Sequence, residues 1–342
     1  MAGFVRLRPR YDLIVLGGGH AGLQAGYKAG LLHQSALILD RGAKYGRSYY
    51  APQMANIPGF PEGISGHKLL DLQLAQVRKV SEWTSYLAPV TVQRVEKEGE
   101  GFSVTFERLR TTQTVRGKAL VLAMGVVDRI PEVQGSIQPI FPWANQGIVD
   151  FCILCDGHKL TGKSVAVIGS GSFAVHSALD LFHFHPSSVT LLSHGRPPLE
   201  GVEGAEREDL EKGLQAHAVR VLPQEITAFS GIREKRFGVT FRDGGQETFD
   251  MGFSAMGWYS THTEVPASLG GQVTSEGYVA TDDDCRVLAA DGSGPIPGLY
   301  AVGDLRDGWK QVPEAWATAE RAVIHAFAFY LDPEEAPKAL EP

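Results

Sequence analysis

The chain has 342 residues, of which 43% are hydrophobic, and it carries a formal net charge of −7 at pH 7. A chain of this length can bury a full hydrophobic core in two domains or one large domain. Its acidic balance argues against nucleic acid or an anionic membrane as the main partner. No stretch approaches about eighteen uninterrupted apolar residues, and the N-terminal MAGFVRLRPRYD leads into no apolar signal segment. We therefore expect a cytoplasmic protein.

The first predicted elements are a strand, a glycine-rich turn, a helix and a second strand. The apolar run YDLIVL leads into GGGHAG, where Gly17, Gly19 and Gly22 have the GxGxxG spacing of a dinucleotide-binding turn. The next apolar run, LILD, ends on Asp40, about where a dinucleotide fold places the acid that binds an adenosine ribose. Because this acid would repel a 2′-phosphate, the motif favours FAD or NAD.

A close cysteine pair follows in FCILCDG, with Cys152 and Cys155 three positions apart. Three cysteines are too few for a disulfide framework, so the pair is more consistent with redox catalysis or metal binding. A zinc site would use His158 as a third ligand, but no fourth ligand is evident. A structural bridge over this short loop would contribute only about 2 kcal/mol. The spacing therefore favours a redox-active pair and no metal.

The strand, turn and helix pattern returns directly after the cysteines. In SVAVIGSGSFAVHSALDLF, the three glycine positions are occupied by Gly169, Gly171 and Ala174. A single GxGxxG is weak evidence for a nucleotide site, but two such units on either side of a CxxC pair are far more specific. The sequence therefore predicts two nucleotide-binding units.

A third apolar strand, in GLYAVGD, ends at Gly303 and Asp304 near the C-terminus. A helix follows, with Pro313 in its first turn. A carboxylate at the C-terminal end of a strand is placed for the hydroxyl groups of a ligand. On this motif alone, a helix-capping or turn aspartate is an equally good interpretation.

These motifs together resemble the low-molecular-weight thioredoxin reductase family of flavoprotein disulfide oxidoreductases. The matching stretches occur in family order over nearly the whole chain, as GGGHAG, NIPGFPEGISG, LVLAMG, CILCDG, GSGSFA, SAMG and YAVGD. The resemblance implies an α/β fold with two Rossmann-like nucleotide-binding domains and a homodimer. The FAD-binding domain would be discontinuous, with residues 1–125 and 256–342. An NAD(P)-binding-like domain, 126–255, would be inserted in it and would carry the CxxC pair.

The resemblance also implies roles for individual residues. Cys155 would be the thiol nearer the flavin, Cys152 the interchange thiol that attacks a partner's disulfide, and Asp156 the general acid. The partner would be a thioredoxin-like protein or a small disulfide or dithiol. The residues expected to hold FAD are Gly17, Gly19, Ala21, Gly22, Asp40, Arg41, Arg47, Asn56, Gly125, Gly303, Asp304, Gln311 and Val312. The residues expected at the NAD(P) site are Gly169, Gly171, His194 and Arg196.

The second nucleotide-binding unit departs from the family pattern. Phe173 and His176 replace a small polar residue and a glutamate, and the run of His194, Gly195 and Arg196 lacks two of the family's three phosphate-binding arginines. A charge-assisted hydrogen bond contributes roughly 1.5 to 3 kcal/mol, so the loss is about 3 to 6 kcal/mol. We therefore expect weak or no use of NADPH, and another donor, such as a ferredoxin, becomes possible.

Three functions are compatible with these observations. The leading one is a thioredoxin reductase-like flavoenzyme that exchanges electrons between FAD, the cysteine pair and a thioredoxin-like disulfide. An alternative is an FAD-dependent dithiol oxidase that passes electrons from a dithiol to oxygen. A further alternative is a non-enzymatic flavin redox sensor, which the intact CDG sequence after Cys152 disfavours.

Overall fold

The computed structural model describes residues 7–260 and 263–330, except for the side chains of 258–260 and 329. Its strands are β1 (Arg10–Leu16), β2 (Ala36–Leu39), β3 (Thr84–Leu87), β4 (Thr91–Glu98), β5 (Gly101–Arg108), β6 (Thr111–Leu122), β7 (Val126–Asp128), β8 (Val149–Asp150), β9 (Ser164–Ile168), β10 (Ser188–Leu192), β11 (Arg220–Leu222), β12 (Ile226–Ser230), β13 (Phe237–Phe241), β14 (Gln246–Phe249), β15 (Met251–Ser254), β16 (Trp258–Ser260), β17 (Arg286–Leu288) and β18 (Pro295–Ala301). Its helices are α1 (His20–Leu31), α2 (Gly66–Lys79), α3 (Phe141–Ala144), α4 (Ile153–Asp156), α5 (Gly171–Asp180), α6 (Gly204–Ala216), α7 (Glu264–Ser268) and α8 (Val312–Phe329). None of the helices in these ranges has the length and apolar character needed to cross a bilayer.

The described residues divide into two compact units. The first contains the described parts of Met1–Tyr49, His67–Val127 and Tyr259–Pro342, and the second contains Tyr50–Gly66 and Asp128–Trp258. Strands β7 and β16 form a separate two-stranded sheet. The sequence motifs did not indicate the grouping of 50–66 with the second unit. The limits of the nucleotide-binding domains, 1–125 with 256–342 and 126–255, stay a prediction.

The first unit is built on a sheet in the order β17-β18-β6-β1-β2-β3, to which β4 and β5 are attached through β6. The pairs that join β18, β6, β1, β2 and β3 are parallel. Every residue of β2 and all but the first residue of β1 are buried. Parallel strands covered on both faces consist of continuous apolar runs, which is why YDLIVL and ALIL show no alternation.

The second unit contains a parallel sheet in the order β11-β10-β9-β15-β8 and an antiparallel sheet in the order β12-β13-β14. Strand β9 is the buried strand that precedes the second glycine turn. Strand β8 lies at the edge of the parallel sheet and pairs with β15 through Val149 and Asp150. The cysteine pair follows β8 directly, so the sheet edge fixes the point at which this segment begins.

Two Rossmann-like strand, turn and helix arrangements are therefore present, one in each unit. In the first unit β1 leads into α1, and in the second β9 leads into α5. The apolar faces of both helices join the buried clusters of their own units. The predicted α/β fold with two Rossmann-like domains is confirmed.

Candidate active site

The two cysteines of CILC bond to each other. A disulfide joins Cys152 and Cys155, whose Cα atoms are 5.3 Å apart. Cys152 is the N-cap of helix α4, and its carbonyl oxygen accepts hydrogen bonds from the N–H groups of Cys155 and Asp156, each at 3.1 Å. Because one helical turn separates the two cysteines, the thiols stay neighbours when the bond opens. The arrangement suits thiol–disulfide exchange.

A cluster of charged side chains follows the disulfide. Lys159 Nζ lies 2.5 Å from Asp156 Oδ1 and 3.3 Å from Asp150 Oδ2. Burial, together with the charge of Asp156, raises the pKa of Asp150 to about 6, against the opposing effect of Lys159. The sequence motifs identified Asp156 but not Asp150 or Lys159. The available signals were an acid that ends the strand before the cysteines and a lysine one helical turn after Asp156.

The third cysteine lies apart from this chemistry. Cys285 is a buried free thiol, and burial raises its pKa to about 11. A thiol that stays protonated at neutral pH is a poor nucleophile, which fits the role of a bystander. Within residues 7–260 and 263–330, no group of three or more His, Cys, Asp or Glu side chains is arranged to hold a metal ion.

The glycines of GGGHAG close the turn between β1 and α1. Gly17 has φ of +105°, and a side chain there would collide with the backbone of Ala123. A side chain at Gly22 would collide with the Gly17 carbonyl group. At Gly19, the N-cap of α1, no described atom lies within 4 Å of where a Cβ would be. The turn thus leaves open space at a helix N-terminus, and helix N-termini favour the negative charge of a phosphate.

Asp40 lies at the end of β2, next to this turn. Its carboxylate accepts hydrogen bonds from the Gly18 N–H at 3.1 Å and from the Tyr86 hydroxyl at 2.7 Å. Burial and the charge of Asp40 together raise the pKa of Tyr86, so the tyrosine remains a donor. Each carboxylate oxygen has a further lone pair. Asp40 therefore keeps acceptor capacity for the hydroxyl groups of a ribose.

Two residues predicted at the FAD site, Arg47 and Asp304, meet in an ion pair of 3.2 Å. Asp304 follows Gly303, which has φ of +65° and donates its N–H to Thr318 Oγ1 at 3.0 Å. A side chain at Gly303 would come within 2.9 Å of the Ala21 methyl group. The close packing of Ala21 and Gly303 brings the start of α1 and the end of β18 together.

The other residues predicted to hold FAD have separate positions. Arg41 lies over the Tyr45 ring, with its guanidinium carbon 4.6 Å from the ring centroid. Gly125 has φ of +65°, and no described atom lies within 4 Å of where its Cβ would be. Gln311 is the N-cap of α8, which begins at Val312. Asn56 belongs to the second compact unit, whereas the remaining predicted FAD residues belong to the first.

A buried group beside the first glycine turn was not predicted from the sequence. His20 Nδ1 lies 2.5 Å from Gln73 Oε1, its Nε2 lies 2.7 Å from Ser48 Oγ, and burial lowers its pKa. Its ring meets Trp316 edge-on, with the centroids 6.4 Å apart. The indole N–H of Trp316 is buried and has no hydrogen-bond partner among the described residues. The open space at Gly19 and the acid at Asp40 fit a bound flavin dinucleotide.

The second glycine turn has a different environment. The Gly171 N–H, at the start of α5, donates to the Pro198 carbonyl oxygen at 2.9 Å. Ser170 Oγ donates to Glu200 at 3.2 Å, and Ser172 Oγ donates to Glu206 at 2.5 Å. Carboxylates of the chain itself therefore bond the hydroxyl groups around this helix N-terminus.

The two side chains predicted to bind a 2′-phosphate also have protein partners. His194 Nε2 donates to the Glu132 carbonyl oxygen at 2.8 Å, and its Nδ1 accepts from the Ile226 N–H at 2.9 Å. Arg196 forms an ion pair with Glu200 at 3.2 Å. Both ring nitrogens of the histidine are thus engaged with backbone groups. The arginine is paired with a carboxylate from the same segment.

The chain is similar to known disulfide oxidoreductases over most of its length. Residues 11–322 match the family described as pyridine nucleotide-disulphide oxidoreductase. The thioredoxin reductase of Treponema pallidum is 27% identical over 94% of this chain and 97% of that protein. The thioredoxin reductase of Mycolicibacterium smegmatis is 29% identical over 87% of this chain and 89% of that protein.

A solved structure shows the same fold. The thioredoxin reductase from Streptococcus pyogenes superposes with a TM-score of 0.78 at 24% identity and covers 94% of this chain and 98% of its own. The family match favours an enzyme over the non-enzymatic sensor and confirms the resemblance drawn from the motifs. The chain therefore belongs to the pyridine nucleotide-disulphide oxidoreductase family, as an FAD-dependent disulfide oxidoreductase of the low-molecular-weight thioredoxin reductase type.

Proposed function

We propose that this enzyme transfers electron pairs between FAD and the disulfide of a thioredoxin-like protein through Cys152 and Cys155. The observation that carries the proposal is the Cys152–Cys155 disulfide at the start of α4, followed directly by Asp156. The two relatives described above are themselves thioredoxin reductases. The homodimer and the cytoplasmic location expected from the sequence belong to the same proposal.

The exchange uses three side chains of this chain. In the reduced enzyme, the Cys152 thiolate attacks one sulfur of the partner's disulfide, and the other partner sulfur leaves and takes a proton from Asp156. The Cys155 thiolate then attacks Cys152, which reforms the Cys152–Cys155 bond and releases the reduced partner. Bound FAD would supply the two-electron chemistry that reduces the pair again.

We further propose that nicotinamide nucleotides are poor electron donors for this enzyme. The hydrogen bonds of Ser170 and Ser172 to Glu200 and Glu206 support this, because carboxylates at the α5 N-terminus repel a pyrophosphate. The Gly171 N–H, which a pyrophosphate would need, is used by the Pro198 carbonyl group. Another donor would then reduce the flavin, and a ferredoxin is one example to be tested.

An anaerobic titration of the holoenzyme tests which donor reduces the flavin. Flavin bleaching is followed with NADPH, NADH, dithionite and a reduced ferredoxin in parallel. We expect dithionite and ferredoxin to bleach the flavin and both nicotinamide nucleotides to do so slowly. Rapid, stoichiometric bleaching by NADPH would contradict the proposal. Bleaching by an added dithiol, followed by reoxidation with oxygen, would instead support the dithiol oxidase.

A further inference from the structure

A buried carboxylate and a lysine lie beside the disulfide without a part in the proposed exchange. Asp150 ends β8 two residues before Cys152, and its side chain is 8% exposed. Lys159 ends the 3₁₀ turn that follows α4, three residues after Asp156. Its Nζ lies within ion-pair distance of both carboxylates, at 2.5 Å from Asp156 and 3.3 Å from Asp150. One ammonium group therefore bridges two acids next to the redox pair.

The charge of this cluster makes one bound proton favourable. Two ionised carboxylates and the bridging ammonium carry a net charge of −1, and the further positive charge of Lys163 does not cancel the effect of burial on Asp150. The charged groups that act on Asp150 are Asp156 of α4, Lys159 of the following turn, and Lys163 just before β9. Burial lowers the pKa of Lys159, but the charges of Asp150 and Asp156 outweigh it and raise that pKa overall. Lys159 therefore stays charged at neutral pH, and a proton that enters the cluster binds to a carboxylate.

We propose that Asp150, Lys159 and Asp156 form one proton-holding group for the disulfide, in which Lys159 is the counter-ion of whichever carboxyl is ionised. This proposal rests on the proposed function, in which Asp156 protonates the departing sulfur. While Asp156 holds the proton, Lys159 neutralises Asp150. When the proton moves from Asp156 to the leaving thiolate, both carboxyls are ionised, and Lys159 bridges them until one proton from solvent restores the cluster.

Asp150 and Lys159 are therefore positioning residues that act through Asp156, and removing each has an opposite effect. In Asp150→Asn, the cluster loses the carboxyl whose protonation burial favours, and Lys159 serves the remaining carboxylate alone, so the cluster releases its proton at lower pH. In Lys159→Met, two carboxylates share a site without a counter-ion, so the cluster keeps its proton to higher pH. Lys159→Arg restores a cation at the same position.

The test compares two disulfide probes with different leaving groups. Holoenzyme is reduced with dithiothreitol, desalted under argon and mixed with bis(2-hydroxyethyl) disulfide, whose basic leaving thiolate needs a proton. The matched probe is 5,5′-dithiobis(2-nitrobenzoic acid), whose acidic leaving thiolate needs none. Alkylation and mass spectrometry give the rate at which the thiols of Cys152 and Cys155 are lost at each pH.

With the aliphatic probe, we expect the pH at which the rate declines to fall by about one unit in Asp150→Asn and to rise by about one unit in Lys159→Met. In Lys159→Arg, the rate should decline at the same pH as in the wild type. The aromatic probe should react alike with all four proteins. The inference would be overturned if the pH at which the rate declines were the same in all four proteins, or shifted in the same direction in Asp150→Asn and Lys159→Met. Equal effects of a substitution on the rates with both probes would also overturn it.

Two controls separate this inference from the proposed function. If Cys152→Ser loses thiols to the aliphatic probe as fast as the wild type, the proposed function fails. If that variant is inactive while the Asp150 and Lys159 variants keep the wild-type pH profile, only the inference fails. Should Asp150→Asn not fold, Lys159→Met and Lys159→Arg decide the question, because the Lys159 side chain is partly exposed in a short surface turn.

Discussion

At the scale of single residues, the ion pair between Arg47 and Asp304 joins two side chains that are 257 positions apart in the chain. Asp304 follows Gly303, whose positive φ turns the chain after β18. This turn fixes the position of the Asp304 carboxylate. Both residues were assigned to FAD separately, from their places in different motifs. Their direct contact places the guanidinium of Arg47 against the carboxylate of Asp304.

We predict that Asp304→Ala weakens the retention of FAD. Loss of a charge-assisted hydrogen bond costs roughly 1.5 to 3 kcal/mol, which corresponds to about a 10- to 150-fold rise in the dissociation constant. Fluorescence titration of apoprotein with FAD measures the change. The matched control is Asp307→Ala, because Asp307 is exposed and its carboxylate accepts the N–H of the neighbouring Gly308. Equal flavin affinity in the Asp304 variant and the wild type would contradict the assignment.

A buried acid also predicts how stability depends on pH. The pKa of Asp150 is raised from 3.8 to about 6 in the fold, so the native state binds a proton that the unfolded state releases over this interval. Ionised Asp150 therefore costs stability as the pH rises from about 4 to about 6. Over that range, the free energy of unfolding of Asp150→Asn should rise relative to that of the wild type, by up to about 3 kcal/mol.

Urea unfolding at several pH values measures this difference. Asp250→Asn is the opposite control, because the backbone and hydroxyl hydrogen bonds from Ser164 lower the pKa of Asp250. Its carboxylate contributes stability above the unfolded pKa, and this contribution is lost as the pH falls through the folded pKa. The free energy of unfolding of Asp250→Asn should therefore fall relative to that of the wild type as the pH rises. If the free energies of unfolding of both variants changed in the same direction with pH relative to the wild type, burial would not explain the pH dependence at Asp150.

At the scale of elements, the two glycine turns differ in what surrounds the start of the helix. The N-terminus of α1 has open space at Gly19. At the N-terminus of α5, the Pro198 carbonyl group accepts the Gly171 N–H, and Glu200 and Glu206 accept the hydroxyl groups of the flanking serines. The same strand, turn and helix pattern thus has open space beside its glycines in one unit and acidic side chains beside them in the other. A glycine motif alone does not reveal this, because its glycines also serve packing between strand and helix.

Removing the acids at α5 should improve the use of nicotinamide nucleotides. We predict that the double variant Glu200→Gln and Glu206→Gln is bleached by NADPH about 10-fold faster than the wild type at low nucleotide concentration, because two repulsive charges are gone. Stopped-flow absorbance of the flavin measures the rate. Glu211→Gln is the matched control on α6, since Glu211 pairs only with Arg207 among the described contacts. No gain in the double variant would mean that these acids do not limit the reaction.

The elements also show which features the sequence could predict. The CxxC pair and both GxGxxG turns are contiguous in the chain, so the spacing of a few residues defines them. Contacts such as His20 with Gln73, or His194 with Glu132 and Ile226, join residues that are more than thirty positions apart. Such partners depend on tertiary packing. The turns were therefore predictable, and these tertiary partners were not.

At the scale of the whole molecule, the chain combines one unit that we propose binds FAD with a second unit that carries the Cys152–Cys155 disulfide. The predicted fold class and the family are confirmed by the two Rossmann-like arrangements and by the match over residues 11–322. The cysteine pair contributes a second two-electron centre besides FAD, if Cys152 and Cys155 act as proposed. The number of electrons that the enzyme accepts therefore tests the central claim most directly.

The measurement is an anaerobic dithionite titration of the holoenzyme, with Cys152→Ser and Cys155→Ser titrated in parallel. The wild type should take up about two electron pairs per flavin, one for FAD and one for the disulfide. Each serine variant should take up about one pair, and Cys152→Ser should also show the long-wavelength absorbance of a thiolate close to the flavin. Equal uptake of one pair by all three proteins would contradict the claim that Cys152 and Cys155 exchange electrons with FAD.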